Sequence, residues 1–344
     1  MQNAVELKSW PTVGRHDAVP NTRVFVAILV SCIAVAAALA SLLPLQISIV
    51  TVFLFAGPHN WFELRYFLMR LPVRFGRSRN FFLTAFVGLA VLTTTYVSLP
   101  FVYNAGVWTD EGWSMVIAGW NTMLLFWLTL LVWMRGKQKP RANWTWIVPV
   151  SLAVCAINWL GPEFFSLAIV YVHPLIALWF LDRHLRRTRP TWLGAYRRVL
   201  CLVPLVLVGM IWQLSQAAPL ADNNGLFWRI TQHSGAEVLP QVSSHLLVSV
   251  HLFLEMLHYG VWIVALPLLG SIGDARFWDP KAVPIARHPK GFARLTVGAL
   301  VVALVAVAFL WVGFSMDYST TRDVYFTIAI AHVLAEAPFL LRMI

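Results

Sequence analysis

Three of the 15 acidic residues fall inside long apolar runs, and each has a histidine three or four residues away. They are Glu63 with His59, Glu255 with His251 and His258, and Glu336 with His332. Spacings of three and four put side chains on one helical face, so each group reads as a His/Glu stripe on a single helix. Glu255-x-x-His258 has the Glu-x-x-His spacing that di-iron carboxylate bundles use. His173, just before Pro174, adds an imidazole from another apolar run.

Imidazole with carboxylate suits iron, manganese or zinc. An ionised side chain costs roughly 2.5–3.5 kcal/mol at the centre of a membrane helix on insertion scales, and a metal would offset that cost. The candidate ligands are His59, Glu63, His173, His251, Glu255, His258, His332 and Glu336. They suffice for one metal ion with carboxylates behind it, or for two ions.

Other readings of the same residues stay open. Glu63 can pair with Arg65 or Arg70, and Glu336 with Arg342. A buried histidine can serve packing alone. His and Glu chains also form proton relays in pumps and transporters. Paired histidines can bind haem without a covalent link, since there is no CxxCH motif.

The elements that position these residues are apolar helices. Of 344 residues, 59% are hydrophobic and 12% charged, about half the charge of a soluble domain. Spans are expected near 24–43, 45–68, 81–102, 114–134, 144–160, 163–182, 197–214, 243–268, 293–315 and 322–341. The fold class expected is an all-α transmembrane bundle of about ten spans. It is one domain over 24–344, after a cytoplasmic leader at 1–23. The leader contains Pro11 and Pro20.

Loop charge orients the bundle. Arg70, Arg74, Arg77 and Arg79 fill one loop, Arg135, Lys137, Lys139 and Arg141 a second, and Arg183, Arg186, Arg187, Arg189, Arg197 and Arg198 a third, at 182–198. A fourth holds Arg276, Lys281, Arg287, Lys290 and Arg294, while the alternate loops are acidic or nearly neutral. The positive-inside rule places both termini in the cytoplasm and the chain in a cell inner membrane. Net charge of +11 is thereby topological, and nothing resembles a nucleic-acid module. Cys32, Cys155 and Cys201 form no CxxC pair, which disfavours a thiolate site.

In this topology the candidate ligands sit on spans two, six, eight and ten, which all run from outside to inside. Their depths differ by about 10 Å, so four helices can aim them at one cluster in mid-membrane. His16 and His288 read as loop residues, His184 as a cytoplasmic helix end, His233 as part of the long 215–242 outer loop, and His245 as pointing elsewhere. A weak repeat links spans two and ten. His59-x3-Glu63 precedes Phe67 and Arg70, as His332-x3-Glu336 precedes Phe339 and Arg342.

There is no HExxH, GxSxG or Walker A motif, and no desaturase-type histidine box. Gly57-Pro58-His59 within a span, with later spans each giving a histidine at similar depth, resembles the bacterial Brp/Blh-type carotene dioxygenases. That resemblance implies a polytopic fold, an iron held by histidines from several helices, and oxidative cleavage of a carotenoid. Paired Glu residues are more prominent here than in an all-histidine site.

The leading expectation is an integral membrane oxidoreductase or oxygenase with a His/Glu non-haem iron centre. Zinc or manganese are alternatives as the metal. Its substrate would be apolar and lipid-like, entering from the bilayer. The runner-up is a proton-coupled transporter that uses the same residues as a relay.

Overall fold

The computed structural model describes residues 21–72, 75–139, 144–221, 225–269, 283, 286 and 292–343. His16, His288, Arg74, Arg141 and most of the 274–294 loop lie outside these. Among the described residues the chain is all-helical.

The described residues form thirteen α-helices, in order: α1 (Thr22–Leu42), α2 (Pro44–Arg70), α3 (Arg79–Ala105), α4 (Asp110–Gln138), α5 (Ile147–Leu160), α6 (Pro162–Thr188), α7 (Pro190–Leu200), α8 (Leu202–Leu214), α9 (Gly225–His233), α10 (Ser244–Tyr259), α11 (Leu266–Leu269), α12 (Ala293–Met316) and α13 (Tyr318–Met343). A π-helical turn, Gly260–Ala265, joins α10 to α11. Eight helical stretches are long and apolar enough to cross a membrane. The other two expected spans coincide with α5, which has 14 residues, and with α2, whose apolar character is diluted by Gln46, Pro58, His59 and Asn60.

Local chemistry sets the boundaries. Asn21 caps α1 by accepting from the Arg23 amide at 3.2 Å, and Thr109 caps α4 through the Gly112 amide at 3.0 Å. Proline opens α2, α6 and α7, at Pro44, Pro162 and Pro190, where its missing N–H costs nothing. α4 and α6 carry acidic residues in the first turn and arginine in the last, matching the helix dipole.

Two expectations are corrected here. The 182–198 stretch is not a loop: α6 continues to Thr188 and α7 starts at Pro190, leaving Arg189 as the corner. The proline after it forces that residue out of helical geometry. The 215–242 stretch is not all loop either, since it contains α9.

The arrangement of hydrophobicity is the one that a lipid solvent permits. α12 has only 17% of its most apolar window buried, whereas the α10–α11 span has 61%. The latter is the axis of the bundle. It packs on α2 and α6, and α13 packs on both of those, so these four elements enclose a common interior. Their C-terminal ends gather Arg70, Arg187 and Arg342. Arg342 donates to the Arg70 carbonyl at 3.1 Å and Arg187 to the Met343 carbonyl at 3.3 Å. We call this the basic end and the opposite one the far end.

Candidate metal centre

Each of the four enclosing helices carries a backbone irregularity within two residues of one of its candidate ligands. Pro58 precedes His59 in α2, Pro174 follows His173 in α6, and the π turn begins two residues after His258. In α13, Pro338 lies two residues past Glu336. A proline or a π turn breaks the regular ladder and lets a helix bend or re-aim its side chains. At His59 this has a visible result: ring Nδ1 donates to the Phe55 carbonyl at 2.9 Å. The Nε2 atom is left facing inward with no hydrogen-bond partner.

Four imidazoles, one from each helix, form a closed ring. Centroid separations are 5.4 Å for His59–His258, 4.6 Å for His258–His173, 5.0 Å for His173–His332 and 5.1 Å for His332–His59. The diagonal from His258 to His332 is 6.2 Å. A metal–nitrogen bond of about 2.1 Å puts a ligand ring's centre about 3.2 Å from the ion. Two such rings then stand about 4.6 Å apart at a right angle, about 5.3 Å at the tetrahedral angle and about 6.5 Å when opposed. The observed sides and diagonal fall in that range.

The nitrogens agree with the rings. Nε2 of His173 and Nε2 of His332 are 3.2 Å apart, the separation of two donors on one ion. His173 Nδ1 donates to Glu336 Oε2 at 3.1 Å, which is how a metal-binding histidine is commonly oriented by a carboxylate behind it.

Glu63 and Glu336 flank the ring. Ligand atoms of His59, Glu63, His258 and His332 lie within 4.8 Å of one another, as do those of His173, His258 and Glu336. His258 is common to both groups. Glu63 and Glu336 are buried to 1% and 0% exposure. The pairings that would have given them a purely structural role are not made. Both Glu63 oxygens lack hydrogen-bond partners, and no partner of good geometry reaches Glu336 Oε1, either His258 nitrogen or His332 Nδ1, although the Trp262 indole, the Pro174 carbonyl and the Ala329 carbonyl stand close to Glu336, His258 and His332 respectively. Such a density of unsatisfied buried atoms is costly. A divalent cation among two carboxylates and four neutral imidazoles would satisfy the orphans and leave the set neutral. The residues present therefore fit a metal ion.

The ring rests on an aromatic floor toward the basic end. Each of the four helices contributes one residue to it: Phe67, Phe180, Trp262 and Phe339, all buried. Phe67 and Phe339 stack at 4.3 Å with an interplanar angle of 1°. Trp262 lies 5.8 Å from Phe67 and 5.4 Å from Phe180. The weak sequence repeat acquires a physical form here, because equivalent residues of α2 and α13 meet level by level. His59 faces His332 at 5.1 Å, Phe67 stacks on Phe339, and Arg342 bonds to the Arg70 carbonyl.

Toward the far end a cavity of about 150 Å³ adjoins the ring. His59, His173, His258 and His332 line its inner part, with Tyr96, Trp120, Ile169, Ile330 and Val333 along an apolar wall. A larger groove of about 440 Å³ lies elsewhere, between α1, α7 and the outward face of α10, away from this chemistry.

Six of the eight sequence-derived candidates thus come together: His59, Glu63, His173, His258, His332 and Glu336. The other two lie nearer the far end. Glu255 accepts from the Tyr259 hydroxyl at 2.8 Å. His251 faces His233 with centroids 5.2 Å apart. Sequence reasoning missed His233, the Glu255 partner Tyr259, whose ring lies 4.5 Å from His59, and the buried Arg322. An amphipathic pattern at Gly225–His233 was the available signal for the first of these. Of the remaining histidines, His184 contacts the Arg70 guanidinium at 3.1 Å and His245 the Ser41 carbonyl at 3.0 Å.

Compared with known proteins, the chain matches no family model, no curated protein and no solved structure.

Proposed function

We propose that this chain is a multi-pass oxidoreductase of the cell inner membrane. In this reading it crosses about ten times, keeps both termini in the cytoplasm, and uses a non-haem iron centre on an apolar, lipid-like substrate. The observation that carries the proposal is the closed ring of His59, His173, His258 and His332, whose spacings suit donors around one ion. All-nitrogen donors with carboxylates close by suit iron, with manganese and zinc as the nearest rivals. Iron would supply the redox chemistry that activates O2.

The chain's own residues do the rest. The Phe55 carbonyl and Glu336 each hold a ring by its Nδ1–H and turn the Nε2 of His59 and His173 inward. Glu63, buried beside the ring with both oxygens unpaired, is placed to ligate or to hold a proton. The floor of Phe67, Phe180, Trp262 and Phe339 excludes water from the basic end. Substrate therefore reaches the ring from the far-end cavity, along the wall of Tyr96, Trp120 and Ile330. The resemblance to carotene dioxygenases agrees with a histidine-held iron and an apolar substrate.

A second reading, a proton-coupled transporter, is favoured by one specific observation. Glu63 and Glu336 each have a carboxylate oxygen within 4.8 Å of a His258 nitrogen in the interior, and in a metal-free bundle such carboxylates would carry protons. Elemental analysis and an optical spectrum of the detergent-purified protein decide between the two. About one equivalent of iron without a Soret band is expected. A folded, homogeneous, metal-free and colourless preparation would overturn the metal reading and leave the transporter.

A further inference from the structure

The cavity beside the imidazole ring is polar at both ends and apolar along one wall. Its inner end is the proposed metal site. Its far end is lined by His233, His251 and Glu255, which the metal reading does not use. His233 and His251 make only ring contacts: with each other at 5.2 Å, with Tyr171 at 5.8 Å and with Phe326 at 4.3 Å. Among the described residues neither imidazole makes a hydrogen bond, although His251 is only 8% exposed. Glu255 gives Oε1 to Tyr259 at 2.8 Å and keeps Oε2 without a protein hydrogen bond. All three side chains line the cavity, and none of their polar atoms is both buried and unpaired in the way the ring atoms are. Arg322, 4% exposed and with its guanidinium 4.6 Å from the Phe326 ring, stands behind them.

A cation is not what this end of the cavity suits. Only two imidazoles and one carboxylate are available, the carboxylate is engaged by Tyr259, and a buried guanidinium is close by. Three unpaired donors and acceptors on the wall of a largely apolar space suit an oxygen substituent instead. Imidazole N–H donates to a hydroxyl or carbonyl oxygen, and Glu255 accepts from a hydroxyl. A pure hydrocarbon filling the cavity would displace water from all three groups and leave each unpaired, at about 1–3 kcal/mol apiece.

We propose that His233, His251 and Glu255 form a recognition subsite for a hydroxyl or carbonyl oxygen on an otherwise apolar substrate. This rests on the reading of the cavity as the substrate site. It narrows the substrate class to oxygen-bearing lipids, in contrast to the hydrocarbon carotene that the family resemblance implies. His251 and His258 are seven residues apart on α10, so the recognised oxygen sits about 10 Å along the helix axis from the ring of histidines.

The test compares n-octanol with n-octane, radiolabelled, as saturable ligands of the full chain in lipid nanodiscs, with empty nanodiscs subtracted. The expected result is about tenfold tighter binding of octanol, the factor one net hydrogen bond supplies. His251→Leu and His233→Leu should each bring the ratio close to one with little change for octane, and His251→Gln should restore part of it. His245→Ala, whose imidazole bonds the Ser41 carbonyl outside the cavity, should keep both the metal and the octanol preference. Equal binding of the two probes by the wild type overturns the proposal, as does a preference that survives both leucine substitutions. Should His251→Leu fail to fold, His233→Leu on the partly exposed α9 carries the comparison. Metal content of the same samples is a separate readout: a metal-free wild type that still prefers octanol sinks the iron reading and leaves the subsite standing.

Discussion

Two of the clusters of polar side chains buried in this bundle are built on opposite principles. The first joins α4, α5 and α6. Asn121 donates to Asn158 Oδ1 at 2.8 Å and to the Pro162 carbonyl at 3.2 Å, and Asn158 donates to the Ala118 carbonyl at 3.0 Å. Only Asn121 Oδ1 is left without a partner. The second is the His/Glu ring, where seven atoms of His59, His258, His332, Glu63 and Glu336 lack one. Buried polar groups that serve structure are satisfied within the protein. A cluster that is deeply buried with this many polar atoms lacking a well-formed protein hydrogen bond could hold a metal ion. Burial alone would rank the two alike, since Asn121, Asn158 and Glu336 are all 0% exposed. Satisfaction separates them.

The largest effect expected from breaking this comparison is at His258, the residue common to both ligand groups. His258→Ala should abolish metal retention, read as metal equivalents in purified protein, and His332→Ala should do the same. His245→Ala removes a histidine that only bonds the Ser41 carbonyl and should leave metal content unchanged. Full metal retention in both ring variants would remove the ring as a ligand set.

Glu336→Gln comes next. It keeps the shape but replaces the carboxylate that accepts from His173 Nδ1 at 3.1 Å. Loss of such an orienting partner typically costs 10–100-fold in metal affinity, measurable by competition with a chromogenic chelator. An unchanged affinity would mean that Glu336 does not orient His173.

How much of this was readable beforehand follows from what a sequence encodes. Helical spacing marked the His/Glu stripes, and loop charge marked which helices run in parallel. Together those two signals point to α2, α6, α10 and α13 as the enclosing set. Depth was harder. His251 and His258 share a face, but seven residues separate them by about 10 Å along the axis, while neighbouring rings in the cluster stand 4.6–5.4 Å apart. His251 could therefore not belong to the same ring, although its periodicity fits. Glu255, one turn toward the far end from Tyr259, is claimed by that hydroxyl instead. His233 was hidden because α9 is only nine residues long and lies in a polar stretch, so its amphipathic pattern was read as part of a loop. The aromatic floor was hidden because Phe and Trp are abundant throughout, with 22 and 17 copies. Only contact geometry separates the four that stack from those that meet lipid.

The satisfied cluster gives the third prediction. Asn158→Leu removes the acceptor for Asn121 Nδ2 but leaves it the Pro162 carbonyl. Polar contacts between membrane helices average about 0.6 kcal/mol in double-mutant cycles. A modest fall in thermal stability in detergent is expected, with metal content unchanged. Metal loss on this substitution would mean that the two clusters are energetically joined and that their separation is false.

The smallest effects sharpen the same contrast at the level of apolar packing. Leu304 on α12 is 57% exposed and Leu252 on α10 is 1% exposed. Both are leucines in apolar helices, and a sequence profile treats them alike. In lipid there is no hydrophobic drive to bury Leu304, because the surrounding tails are as apolar as the side chain. Leu304→Val should therefore fall within about 0.5 kcal/mol of wild type, the usual range for surface changes. Leu252→Val deletes a methylene from a packed interior, which lipid cannot refill, at a cost of about 1 kcal/mol. Melting temperatures of the two variants in the same detergent give the comparison directly. Equal shifts would mean that α12 is packed against protein rather than lipid, and that the bundle's exposed face is covered by a further copy or another chain.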